Sequence, residues 1–476
     1  MSGIFGVASN NSCIEDLVYG TDYHTHMGSE YAGLAVYGKE FSRYIHRLSS
    51  AYFKTRFMED IKNIEGSKGI GVISDHDEQP IYIKSKLGPF CLVTNGRIDN
   101  VEELTKEMLS NGTSFSEFSK NAANMTELCG KIIAQASAVK EGIEKIHETV
   151  RGACSLLILT KGGIFAARDA CGRNTLVLGK GEKGFAVCSE SNSLLNLGYT
   201  PVRDLAPGEI VFITDRSVEI LKKGNGKKKV CAFLWMYMGF PVSSYEGINA
   251  EIVREESGKR IAMRDKGLVA DMVAGVPDSG IAHAIGYAME SKIPLRRPLV
   301  KYTPTYGRSY TPTTQTIRDL TARMKLIAIK EIIDGASIVL LEDSIVRGTQ
   351  LKKFTIDKFW QNGAREVHVR VASPPLMFPC IYTSATRTTS ELITRRAIRE
   401  IEGHDIEDIC QYLDHTSPKY AKMIEWMREH FNVTSLKYQT VDDMVSAIGL
   451  PKDQLCLHCW VGKNCVKNCK KRKKEC

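Results

Sequence analysis

Apolar runs bounded by glycines and turn residues change character along this chain. In the first half they are short: Gly71-Val72-Ile73, Phe90-Cys91-Leu92-Val93 leading into a turn at Asn95-Gly96, and Ser155 to Leu159 ahead of Gly162-Gly163. Such runs predict a strand-rich first domain. Beyond Gly224-Asn225-Gly226 the pattern alternates. Met272-Val273-Ala274-Gly275-Val276 precedes a helical spacing from Ile281 to Glu290. Ile338 to Leu341 suits a strand buried on both faces of a parallel sheet. Leu351, Phe354 and Phe359-Trp360 then recur at helical spacing up to a stop at Asn362-Gly363, and Val367, Val369 and Val371 alternate after it. Strands alternating with helices predict a doubly wound α/β domain whose ligand lies outside the strand carboxyl ends.

Chemistry gathers at one of those ends. Strand Ile338–Leu341 runs into Glu342-Asp343-Ser344-Ile345-Val346-Arg347-Gly348-Thr349. Backbone N–H groups opening a helix, the Ser344 and Thr349 hydroxyls, and the close approach that Gly348 allows make a pocket for the phosphate of a sugar phosphate. The two acids repel that phosphate. Their predicted partners are ribose hydroxyls of the same ligand, or water on a magnesium ion that also holds a diphosphate.

This run resembles the signature of the type I phosphoribosyltransferases, which use phosphoribosyl pyrophosphate (PRPP), and the chain is most similar to the glutamine PRPP amidotransferase, or amidophosphoribosyltransferase, family. Val276-Pro277-Asp278-Ser279-Gly280, Arg323-Met324-Lys325-Leu326, Asp343 to Thr349 and Ser373-Pro374-Pro375 follow in the family's order. The resemblance implies that Ser279, Glu342 and Asp343 surround Mg2+, and that Lys325 and residues 342–349 bind PRPP. Two departures stand out. Glu342 replaces the usual aspartate, and Lys301 to Arg308 lacks the arginine of a common Lys-Asn-Arg element. The implied fold is an Ntn-hydrolase-like αββα domain over 1–228, an α/β phosphoribosyltransferase domain with a parallel sheet over 229–450, and a Cys-rich basic tail over 451–476.

In the first domain the resemblance keeps the shell and loses the chemistry. Active relatives begin, after processing, with a cysteine that attacks the glutamine amide; here the pattern is Ser2-Gly3-Ile4-Phe5-Gly6. Removal of Met1 exposes Ser2, whose hydroxyl is a poorer nucleophile than a thiol of pKa ~8.5. The family's His-Arg-Gly-x-Glu reads His26-Met27-Gly28-Ser29-Glu30, its Gly-x-x-Arg-Tyr reads Gly71-Val72-Ile73-Ser74-Asp75, and its ammonium-binding aspartate aligns with Met125. Asn95-Gly96 remains as an oxyanion element. Glutamine offered to such a site leaves its charges uncompensated.

Composition adds the setting. The 476 residues, 43% of them hydrophobic, suffice for two cores, and no apolar run approaches the ~20 residues that span a bilayer. The start of the chain has no signal-peptide build, so a cytoplasmic enzyme is predicted. Part of the net charge of +9 comes from Lys227-Lys228-Lys229 and Lys470-Lys471-Arg472-Lys473-Lys474, which read as solvated segments rather than a nucleic-acid surface. Of 14 cysteines, Cys456 and Cys459 have the spacing of a metal-binding pair, for which zinc is the usual guess. Resemblance to a subgroup of the family implies instead a 4Fe-4S cluster on Cys231, Cys380, Cys456 and Cys459, joining the two domains to the tail. Cys465, Cys469 and Cys476 stay unassigned.

The reading that follows is an amidophosphoribosyltransferase-like enzyme that makes phosphoribosylamine and pyrophosphate from PRPP and ammonia in purine synthesis, its glutaminase half lost. A silent PRPP- or nucleotide-binding regulator and a phosphoribosyltransferase with another acceptor are the alternatives. The resemblance further implies a homo-oligomer inhibited by purine nucleotides.

Overall fold

A computed structural model describes residues 2–48, 52–119, 122–302, 326–382, 386 and 388–462. The chain divides into two compact units: Met1–Cys231 with Val242–Gly247 and Ile381–Ser384, and Ala232–Pro241 with Ile248–Cys380 and Ala385–Cys476.

The first unit is built on Ser2–Ser9 (β1), in which every residue is buried. Successive side chains of a strand point to opposite faces. Ile4 and Ala8 therefore meet one core, and Phe5 and Val7 another. β1 pairs antiparallel with Lys68–Ser74 and with Gly184–Cys188, at the middle of a seven-stranded sheet. Six antiparallel strands, among them Gly88–Ile98 (β2) and Gly152–Leu159 (β3), form the second sheet. Ile4, Ile70 and Val72 of the first sheet pack on Cys91, Val93, Leu157 and Leu159 of the second. Helices Ile14–Asp22 and Phe53–Ile61 cover the outer face of the first sheet. Helices Val101–Ser110, Met125–Gln135 (α1) and Val139–Thr149 cover the second. The predicted αββα layering is present.

Asn95-Gly96 is not a turn. β2 continues through both residues to Ile98, with Asn95 opposite Ser155 and Gly96 opposite Cys154. Gly96 has φ +132°, and an added Cβ would stand 2.0 Å from the Ala153 carbonyl oxygen. Glycine is there to let two strands approach, not to reverse the chain.

The second unit carries four parallel strands in the order Met272–Gly275 (β4), Ser337–Glu342 (β5), Glu366–Val371 (β6) and Ser435–Tyr438 (β7). Ile338, Leu340, Val367 and Val369 lie in its core with Phe359, Met427 and Phe431. Helix Ile281–Ser291 follows β4, as its spacing predicts. The helix expected after β5 is less regular: Thr349–Leu351 and Asp357–Gln361 flank a π-helical turn at Lys352–Ile356. Helices Ile393–Glu402 (α2) and Pro418–Phe431 (α3) lie between β6 and β7 in sequence. No helix among the described residues is long and apolar enough to cross a membrane.

Candidate active site

Parallel strands deliver their carboxyl ends to one edge of the sheet, and there two of the predicted elements meet. The Val276 N–H donates to the Leu341 carbonyl at 2.9 Å, seating the Pro-Asp-Ser-Gly loop against the end of β5. Ser279 then donates its hydroxyl to Asp343 Oδ2, and Ser344 donates to Asp343 Oδ1 at 2.6 Å. The backbone of the acidic pair is fixed from the residues just after β6: the Ala372 and Ser373 N–H groups donate to the Glu342 and Asp343 carbonyls at 2.8 and 3.0 Å. A cis peptide joins Pro277 to Asp278, whose carboxylate pairs with Lys301.

Two adjacent acids at a strand end are electrostatically costly. The Glu342 carboxyl is pushed well above its usual range, first by desolvation and then by the Asp343 charge. Desolvation likewise raises Asp343, against the hydroxyls of Ser279 and Ser344, which favour its ionised form. A divalent cation relieves this cost, so the donor set fits Mg2+ held by one or two carboxylates together with ligand phosphate oxygens.

Ile345 is buried beneath the loop, Val346 is half-buried, and Arg347 and Thr349 are exposed. Gly348 has φ +75°, and an added Cβ would stand 2.6 Å from the Phe431 ring. Only glycine reconciles that backbone with that neighbour. The Val346 carbonyl accepts the Ile393 N–H at 2.8 Å, and Arg347 forms an ion pair with Glu391. Sequence reasoning missed Glu391. Its signal was the Thr388-x-x-Glu391 spacing of a capping box, which the structure forms. Lys325 and Arg323, with residues 303–308 of the segment that departs from the Lys-Asn-Arg element, lie outside the described residues.

In the first unit, Ser2 is 4% exposed, and its hydroxyl donates to Ser74 Oγ at 3.4 Å. Ser74, which in the sequence reading stands against the family's arginine, also accepts the N–H groups of His76 and Asp77 at 3.2 Å each. The turn it starts is tied down on several sides. Asp75 accepts from the Ser29 N–H at 2.7 Å, Asp77 from the Met125 N–H at 3.0 Å, and the Glu78 carbonyl from Asn124 Nδ2 at 3.1 Å. Gln79 exchanges hydrogen bonds with the backbone of Thr94. His26 Nε2 stands 2.8 Å from the buried Glu190 carboxylate. Asn95 Nδ2 donates to Ser189 Oγ at 3.1 Å, and that oxygen also accepts the Ile4 N–H. One of the two Asn95 Nδ2 hydrogens is thus engaged inside the fold.

Cys231 belongs to the first unit; Cys380, Cys456 and Cys459 belong to the second. Within the second unit the Met377 and Phe378 N–H groups donate to the Cys459 carbonyl at 2.8 and 3.0 Å, and the Ala232 N–H to the Cys456 carbonyl at 3.4 Å. These bonds draw together the segments that carry three of the four cysteines. Among the described residues, no group of three or more His, Cys, Asp or Glu is arranged to hold a metal ion. Cys465, Cys469 and Cys476 lie outside the described residues.

An αββα sandwich with β1 at its centre, and a parallel sheet with paired acids and a glycine-bearing loop at its edge, define the architecture of a glutaminase-type domain joined to a phosphoribosyltransferase-type domain. Comparison with known proteins agrees. A family model described as "Glutamine amidotransferase domain" matches residues 68–196. The chain is 30% identical over 409 residues to an amidophosphoribosyltransferase of Archaeoglobus fulgidus, covering 84% of this chain and 86% of that protein. It is also 30% identical over 491 residues to one of Methanocaldococcus jannaschii, covering 97% of each. Among solved structures, the glutamine PRPP amidotransferase of B. subtilis complexed with ADP and GMP superposes with a TM-score of 0.82 at 27% identity, covering 97% of this chain and 96% of that one. The chain belongs to the amidophosphoribosyltransferase family.

Proposed function

We propose that this protein transfers the phosphoribosyl group of PRPP to ammonia, forming phosphoribosylamine and pyrophosphate for purine nucleotide synthesis in the cytoplasm, without a working glutaminase. The observation that carries this is the joining of Ser279, Glu342-Asp343 and the 344–349 loop at one sheet edge. In this reading the loop N–H groups and Thr349 hold the 5-phosphate, and the pyrophosphate is assigned to Lys325. The acids, with Ser279 braced on Asp343, would hold Mg2+, which supplies charge neutralisation for the departing pyrophosphate when bound. The protein's own task is to orient C1 of the ribose toward the nucleophile and keep water from competing.

Loss of the glutaminase rests on chemistry and packing together. Ser2 replaces a thiol, a serine and a methionine stand at the positions of the family's carboxylate- and ammonium-binding groups, and the Ser74–Gln79 turn spends its polar groups on its own neighbours. We propose residues 1–228 as this silent domain, 229–450 as the transferase and 451–476 as a tail. Cys231, Cys380, Cys456 and Cys459 are proposed to hold a structural 4Fe-4S cluster, a donor set of four thiols that suits a cubane. A homo-oligomer and inhibition by purine nucleotides belong to the same reading; the B. subtilis relative was solved with ADP and GMP.

The test is pyrophosphate release from Mg-PRPP by anaerobically purified protein with ammonium or glutamine as nitrogen donor. Release with ammonium alone is expected. Release with glutamine refutes the silent domain, and release with neither overturns the ammonia-dependent reading and moves the silent PRPP or nucleotide binder to first place.

A further inference from the structure

The loop read above as the phosphate site is braced by a residue that does not belong to it. Glu391 sits 44 residues beyond Arg347 in sequence, at the third helical position of a short 3₁₀ turn, Thr389–Glu391. A capping box fixes its carboxylate: Oε2 accepts the Thr388 N–H at 3.5 Å, while Oε1 accepts from the Arg347 guanidinium. Two residues on, the Ile393 N–H holds the Val346 carbonyl at 2.8 Å. Adjacent loop residues are therefore held by one short segment, Val346 through its main chain and Arg347 through its side chain. The Phe431 ring leaves no room for a side chain on the third, Gly348.

We infer that Glu391 is a positioning residue for phosphate binding: by anchoring the Arg347 side chain it fixes the backbone of 346–348, whose N–H groups face the ligand's phosphate. This rests on the proposed PRPP site. A carboxylate beside an anion site is otherwise a liability, since it repels the phosphate. Arg347 cancels that charge, and what remains of the pair is a mechanical tie. The two effects predict opposite signs. If Glu391 acted only through its charge, removing it would strengthen PRPP binding. If it acts by holding the loop, removing it weakens binding.

The experiment measures the Kd of Mg-PRPP by calorimetry and KM and kcat by ammonium-dependent pyrophosphate release, for the full chain and for Glu391→Ala, Glu391→Gln, Arg347→Ala and the double variant. Glu391→Ala should raise Kd and KM roughly 3- to 5-fold, the scale of a partly exposed ion pair, with kcat unchanged. Glu391→Gln, whose single amide oxygen can accept from Arg347 or from the cap but not from both as the two carboxylate oxygens do, should restore only part of the affinity. In the double variant the two losses should not add, because each breaks the same tie. An unchanged or lower Kd in Glu391→Ala, or additive losses, overturns the inference while leaving the site reading intact. Failure of the unaltered protein to bind Mg-PRPP overturns the site reading and the inference with it.

Discussion

Ser279 and Asp343, 64 residues apart in sequence, are joined by a hydrogen bond from the serine hydroxyl to the aspartate carboxylate. The bond connects the loop after β4 to the end of β5, which are neighbours in the parallel sheet. With the Val276 N–H bond to the Leu341 carbonyl, this side-chain contact helps set the spacing between the two loops that would share one diphosphate and its magnesium ion. Asp343→Asn should reduce PRPP-dependent turnover at least about 100-fold, within the several kcal/mol that metal-assisted charge stabilisation supplies. Ser279→Ala should raise KM for Mg-PRPP with a smaller loss of kcat. Steady-state pyrophosphate release checks both, and an unchanged rate in Asp343→Asn would remove the acidic pair from the mechanism.

The acidic pair should also leave a pH signature. Both carboxyls are raised, mainly by desolvation. A carboxyl raised on folding stabilises the protein at low pH, and that contribution is lost as pH rises through its folded value. Glu342→Gln should therefore melt a few degrees higher than the unaltered ligand-free protein at alkaline pH, with the difference shrinking as pH falls. Binding of Mg2+ with PRPP needs the ionised acids, so it should release protons. Calorimetry in buffers of different ionisation enthalpy measures that release, and it should grow as pH approaches the raised values from above.

For the first unit, the proposed loss of glutaminase activity predicts that changing one atom does not supply that reaction. Ser2→Cys should yield no glutamine hydrolysis if, as proposed, Ser74 and Met125 occupy the positions where charge-bearing partners are needed. Ser2→Ala should leave the ammonium-dependent rate unchanged. Glutamate production, followed by a coupled assay, reads both. Appreciable hydrolysis by Ser2→Cys would show that the pocket still recognises glutamine.

The parallel sheet has a buried ionic anchor. Asp265 accepts hydrogen bonds from Arg370, Lys437 and Tyr287, at distances between 2.5 and 3.2 Å, and Arg370 is only 1% exposed. Burial opposes ionisation of Asp265, but these donors outweigh it and bring its pKa down to about 2. Its stabilisation is therefore present above the ordinary carboxylate range and is lost as pH falls toward that value. Asp265→Ala strands the Arg370 charge and should cost about 3–5 kcal/mol, read as a lower denaturant midpoint.

The second unit was the more legible half of the sequence, for a physical reason. Strands buried on both faces must be apolar throughout, so Ile338 to Leu341 declares itself, and the residues that follow such a strand fall at the sheet edge by geometry. The loop chemistry could be read one residue at a time. In the first unit, by contrast, Asn95-Gly96 carried the composition of a turn but lies within a strand, because the close approach of Ala153 rather than a chain reversal demands the glycine. The π-helical turn at Lys352–Ile356 left no mark on the apolar spacing. Glu391 and Ser189 escaped notice because their partners lie 44 and 94 residues away, at Arg347 and Asn95. Pairings of that kind arise from the folded chain and leave no local period.

The most direct measurement of the central claim is pyrophosphate release from Mg-PRPP with ammonium and, separately, with glutamine, by protein purified without oxygen. The account predicts steady release with ammonium and none above background with glutamine. Release with glutamine at a rate matching ammonium would contradict it.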